Sequence, residues 1–192
     1  MSDAGCACPR RREVLGSLAA LALAGALPVT ALAGVPAEKQ PPQPGDVLAT
    51  ASDDDAPHDI TPEEVELNAA PVVCYPKDPA SGVVRDGSRL NQILLVRLDP
   101  KTLDDATRAR AADGLVAYAA TCTHTGCSVS VWKEETRHFV CPCHSSEFDP
   151  ARGAARITGP APRPLPALPL KLAGKRIEIA APFTAKVGIN RA

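Results

Sequence analysis

Two short segments constrain this chain more than anything else in it. They are Cys122-Thr123-His124-Thr125-Gly126-Cys127 and Cys141-Pro142-Cys143-His144-Ser145-Ser146-Glu147-Phe148-Asp149. One holds a Cys-x-His pair, the other a Cys-x-x-His pair, and each carries one additional cysteine. Soft thiolates and imidazoles in equal number suit either zinc or an iron–sulfur cluster. Either group needs ligands from both segments. The fold must therefore hold two loops tip to tip, and the rest of the chain has to build that frame.

The frame reads as strands. Aromatic residues make up only 3% of the chain, so the core must come from Val, Ile, Leu and Ala. Twenty prolines among 192 residues favour loops over a helical bundle. β-type runs occur at 72–75, 92–98, 115–119, 128–132, 138–141 and 176–179, with glycines between them. One stretch differs: Leu103 to Ala112 is rich in Ala, Arg and Asp, follows Thr102, and predicts a short capped helix ending at Gly114. Many short strands joined by Gly and Pro turns predict an all-β, antiparallel β-sandwich. A formal net charge of −1 gives no footprint for nucleic acid.

The N-terminus has its own logic. Arg10, Arg11 and Arg12 precede an uncharged run from Val14 to Val35, the layout of an export signal. The Arg11-Arg12-Glu13-Val14-Leu15 run resembles a twin-arginine signal. Ala31-Leu32-Ala33 offers a cleavage site, yet an apolar run of this length also serves as a membrane anchor helix. In both cases the remainder lies outside the cytoplasm, because the arginines stay inside. The expected organisation is a signal or anchor over 1–35, a Pro-rich and acidic linker over 36–60, and one domain over 61–192.

The two Cys/His segments, with Gly159-Pro160-Ala161-Pro162 downstream, resemble the Rieske iron–sulfur protein family over about residues 60–182. The resemblance implies a β-sandwich with a small cluster-binding subdomain and one [2Fe-2S] cluster per chain. Cys122 and Cys141 would hold the inner iron, and His124 and His144 the outer one. It also implies a disulfide between Cys127 and Cys143, a bond that persists outside the reducing cytoplasm. Gly159, Pro160, Ala161 and Pro162 match the proline-rich third loop of respiratory and photosynthetic members. Ser146 matches a serine that donates to a bridging sulfide, and Phe148 stands where a tyrosine hydroxyl reaches the first cysteine sulfur. Cys74 is then a leftover thiol, read as a small buried apolar residue. No residue is assigned a catalytic role.

The resemblance implies electron transfer by an exported subunit on the periplasmic side of the bacterial inner membrane, released by cleavage or anchored through residues 14–35. Its partner would be another redox subunit. One version is ubiquinol–cytochrome c reductase-like, with cytochrome b and c partners and quinol as substrate. The other is a relay subunit of an arsenite oxidase-like molybdoenzyme, beside a molybdopterin subunit. Three departures from the quinol-oxidising pattern favour the relay: Thr125 replaces the usual Leu, Ser145 the usual Gly, and Phe148 the usual Tyr. A structural zinc site would leave the second cysteine pair and the proline loop unexplained. A Rieske-type oxygenase would need a further catalytic domain, for which 61–192 leaves no room.

Overall fold

A computed structural model describes residues 34–54 and 58–189. Eleven strands form among the described residues: β1 Val47–Ala49, β2 Val72–Lys77, β3 Ile93–Arg97, β4 Leu115–Ala119, β5 Val131–Lys133, β6 His138–Cys141, β7 Ser146–Asp149, β8 Ala155–Thr158, β9 Ala167–Leu168, β10 Leu170–Ala173 and β11 Arg176–Ile179. They make a seven-stranded sheet in the order β10-β11-β1-β2-β3-β4-β9 and a four-stranded sheet in the order β5-β6-β7-β8. All strand pairs are antiparallel.

The larger sheet departs from the expected sandwich. Its two edge strands, β9 and β10, are consecutive in the chain with only Pro169 between them. A sheet whose opposite edges are joined by one residue must curl, and this one is nearly barrel-shaped. Proline suits that corner because it removes one ladder donor. The four-stranded sheet carries the second Cys/His segment at its β6–β7 turn.

Strands β3 and β4 show why an unbroken apolar run forms a strand here. β4 is buried along its whole length, and β3 everywhere but its last residue, Arg97. Side chains alternate across a sheet, so each strand feeds two cores. Leu94, Val96, Val116 and Tyr118 pack with Phe139 and Phe148 of the small sheet. Ile93, Leu95, Leu115 and Ala117 pack with Leu48, Ile177 and Ile179 inside the curl. Cys74 lies in that inner core, where burial pushes its thiol pKa up, as a small apolar residue should behave.

Two expectations are corrected. Residues 36–60 do more than link. Within them, β1 sits between β2 and β11, and Ile60 joins the inner core. The Arg85 guanidinium holds the strand's approach through a buried pair with Asp46, Nε to Oδ2 at 2.7 Å. Asn91 Nδ2 donates to the Gln40 carbonyl at 2.7 Å. The helix expected over 103–112 is one turn, α1 Asp105–Arg108. Its cap is Asp104, whose carboxylate accepts from Thr107 N–H at 2.7 Å. The chain then leaves helical geometry because Ala112 pairs with Leu115 and leads directly into β4.

The expected signal or anchor lies outside the described residues. Among the described residues no helix is long and apolar enough to cross a membrane.

Candidate metal centre

The first Cys/His loop follows β4 and closes on itself. Cys122 N–H donates to the Cys127 carbonyl at 2.8 Å, and Gly126 N–H donates to the Cys122 carbonyl at 3.1 Å. Gly126 takes φ +81°, which glycine adopts without penalty. The second loop is a hairpin turn between β6 and β7, with Cys141 opposite Ser146. Ser145 N–H donates to the Cys141 carbonyl at 3.0 Å. Ser145 holds φ +55°, the left-handed region that costs a residue with a Cβ roughly 1–2 kcal/mol. That is the physical reason for a glycine at this position in the pattern the loop resembles.

The loops meet. Cys127 and Cys143 are joined by a disulfide, with Cα atoms 6.5 Å apart. Beneath it lie Cys122 and Cys141, both free and buried. Burial pushes the Cys122 thiol up, the backbone N–H of His124 opposes that, and contact with the Cys141 thiol adds to the rise. The rings of His124 and His144 stand 4.7 Å apart between centroids, nearly perpendicular at 87°. His144 is exposed and His124 half-buried. The Nδ1 atom of His124 is buried and has no hydrogen-bond partner among the described residues. A buried ring nitrogen without a partner is costly unless something binds it.

Two buried thiols in contact, two adjacent imidazoles and one orphaned ring nitrogen fit a group with sulfur ligands on one side and nitrogen ligands on the other. The Sγ atoms of Cys127, Cys141 and Cys143 also lie within 4.8 Å of one another. Two of those are bonded together, so this trio is not a three-thiolate site.

Other contacts support the loops. Ser146 is buried, and its hydroxyl oxygen accepts from Ala161 N–H at 3.1 Å. Gly159 has φ +86°, and a Cβ there would stand 2.5 Å from Ser146 Cα. The Gly159–Pro162 loop thus lies directly on the start of β7, and only glycine permits the approach. Phe148 is fully buried in the core that includes Cys122 and Cys141. Lys133 and His138 both reach Glu147, at 2.5 and 2.6 Å, and hold its carboxyl below the usual range, Lys133 first. This pins β5, β6 and β7 together.

Two supporting contacts have no sequence signal. Arg89 Nη2 donates to the Gly126 carbonyl at 3.0 Å. Thr123 Oγ1, between Cys122 and His124, donates to the Arg163 carbonyl at 2.7 Å. The partners are 37 and 40 residues apart, and no local pattern marks such pairs.

Residues 61–169 match the family model described as the Rieske [2Fe-2S] domain. The cytochrome bc1 complex Rieske iron-sulfur subunit of Streptomyces lividans is 43% identical over 77 residues, covering 40% of this chain and 45% of that protein. A putative respiratory nitrate reductase subunit Rieske of Haloferax mediterranei is 41% identical over 97 residues, covering 50% of this chain and 43% of the relative. The chain therefore spans less than half the length of these relatives. Among solved structures, a plasma membrane Rieske protein from the cyanobacterium Synechocystis is 28% identical, with a TM-score of 0.37, over 57% of this chain and 86% of that one.

Proposed function

The chain belongs to the Rieske [2Fe-2S] family, and from that premise we propose that it is the iron–sulfur subunit of a membrane-associated respiratory oxidoreductase. The cluster supplies reversible one-electron storage. Cys122 and Cys141 hold one iron, and His124 and His144 hold the other. The observation that carries this reading is the burial order: both thiols are buried, His124 is half-buried and His144 is exposed. The imidazole edge of the site faces solvent, where a redox partner can approach.

The first reading of the parent complex is ubiquinol–cytochrome c reductase-like, supported by the bc1 subunits among the relatives. Thr125 supports a second reading, an electron relay beside a molybdopterin subunit. It is polar and exposed next to His124, where a quinone pocket would favour an apolar cover. Its hydroxyl lies 3.6 Å from the Cys127 sulfur. The domain works outside the cytoplasm, after export by a twin-arginine signal that is either cleaved or kept as an anchor. The Cys127–Cys143 bond supports that compartment.

The test is purification of the tagged chain from detergent-solubilised membranes. Dithionite-reduced protein should give a Rieske electron paramagnetic resonance signal. Cytochrome b or c subunits should co-purify in the first reading, a molybdopterin subunit in the second. A colourless protein without that signal would overturn the proposal.

The potential offers a finer test. Hydrogen bonds to cluster sulfurs favour the reduced state. Ser146 accepts from Ala161 N–H and so keeps its own hydrogen free to donate. Phe148 has nothing to donate. One added bond that strengthens on reduction favours the reduced state by about 1–1.5 kcal/mol, which at ~59 mV per tenfold for one electron is ~40–65 mV. Phe148→Tyr should raise the potential by that amount in voltammetry, and Ser146→Ala should lower it comparably. If Ser146→Ala falls and Phe148→Tyr stays unchanged, the ring does not face Cys122.

A further inference from the structure

A cavity of about 370 Å³ is walled by Leu165, Pro166, Ala185 and Thr184 and by two arginines, Arg110 and Arg163. None of its lining residues is acidic. The Nε of Arg110 and the Nη1 of Arg163 are both buried without a hydrogen-bond partner, and neither arginine has an ion pair among the described residues. Two guanidinium side chains thus line one cavity whose wall carries no acidic group. Two half-buried guanidinium groups converging beside an apolar wall favour an anionic ligand.

Both arginines are held in place by the backbone. The Arg163 carbonyl accepts from Thr123, and its Nη2 donates to the Gly188 carbonyl. The Arg110 carbonyl accepts from Leu170 N–H at 3.0 Å. A Cβ at Gly153 would stand 3.3 Å from Arg110 Nη2, so glycine leaves that guanidinium its space. The nearby Asp104 carboxylate is engaged as the cap of α1. Thr184 Oγ1 accepts from Ala167 N–H at 3.0 Å, which leaves its hydrogen available as a third donor.

We infer that this cavity binds a small organic acid, its carboxylate taken by Arg110 and Arg163 and its apolar body by the Leu165, Pro166 and Ala185 wall. Guanidinium N–H groups match carboxylate oxygens in geometry and charge. The volume lies in the range of small-molecule sites, roughly 300–1,000 Å³, and is larger than a bare ion needs. Apolar walls with a few convergent donors select a ligand that has both halves.

The test uses the cluster-loaded full chain and isothermal titration with three probes: sodium benzoate, neutral benzamide and inorganic phosphate. Benzoate should bind saturably with a dissociation constant of roughly 1 mM or below. Benzamide and phosphate should each bind at least about tenfold more weakly. Arg110→Gln should weaken benzoate by a similar factor while leaving the cluster's visible spectrum unchanged, and Arg163→Gln should weaken it comparably. Thr184→Val, which exchanges the hydroxyl for a methyl and also removes the acceptor of Ala167 N–H, should weaken it by a smaller factor and covers the case that an arginine variant misfolds. Equal binding of benzoate and benzamide, or benzoate affinity unchanged in the folded variants, would overturn the site. No saturable benzoate binding would overturn it as well. Phosphate binding as tightly as benzoate would overturn the assignment to organic acids.

Discussion

His144→Ala should abolish the Rieske spectrum and leave the fold standing. His144 is exposed at the tip of the β6–β7 turn, so its loss opens no cavity. The turn is closed by Ser145 N–H to the Cys141 carbonyl, a bond that does not involve the imidazole. An exposed substitution of this kind usually changes stability by under about 0.5 kcal/mol. The chemistry, in contrast, depends on a ring that stands 4.7 Å from His124. With alanine there, the nitrogen side of the site keeps one ligand of two. Electron paramagnetic resonance of dithionite-reduced protein reads the result, with circular dichroism as the control for folding. His138→Ala gives the opposite pattern. His138 serves Glu147 and not the loop tips, so its loss should cost stability and keep the signal. A folded His144→Ala protein with the full Rieske signal would refute the ligand set.

The loops that carry this site were legible because ligand chemistry restricts residue types at fixed offsets. The frame was legible only where burial repeats a pattern. β4, β6 and β11 have their expected bounds, because each is a β-branched, aromatic or alternating run. β1 was hidden: three apolar residues among prolines and acids carry too short a period to register, yet pairing on both sides makes them central. β9 and β10 were hidden by Pro169, which a local reading takes as a break and the fold uses as a corner. β7 was read only as ligand motif, although the same residues pair with β6 and β8. The helix was overextended because its Ala and Arg content favours helix locally, while pairing of Ala112 with Leu115 decides the outcome. The pair of arginines at the cavity was invisible for a related reason, since 53 positions separate 110 from 163.

The disulfide should matter twice, once for stability and once for which thiols survive. Cys127 and Cys143 close a loop with a sequence separation of 16. A loop near that length is worth about 3 kcal/mol against unfolding. At about 2–4 °C per kcal/mol for a domain of this size, the double variant Cys127→Ser with Cys143→Ser should melt roughly 6–12 °C lower. The single variant Cys143→Ser removes the same cross-link but frees the Cys127 thiol. The Cys127 sulfur is within 4.8 Å of the Cys141 sulfur, close enough for the two to bond without large backbone movement. In apo-protein oxidised in air, a Cys127–Cys141 bond would then remove a cluster ligand. After reconstitution with iron and sulfide, the single variant should hold less iron per chain than the double variant, although it carries one fewer substitution. Mass analysis of the oxidised single variant should find the peptides of Cys127 and Cys141 linked. Equal or greater iron loading in the single variant would show that Cys141 is shielded from its neighbour, and that the cross-link protects geometry alone.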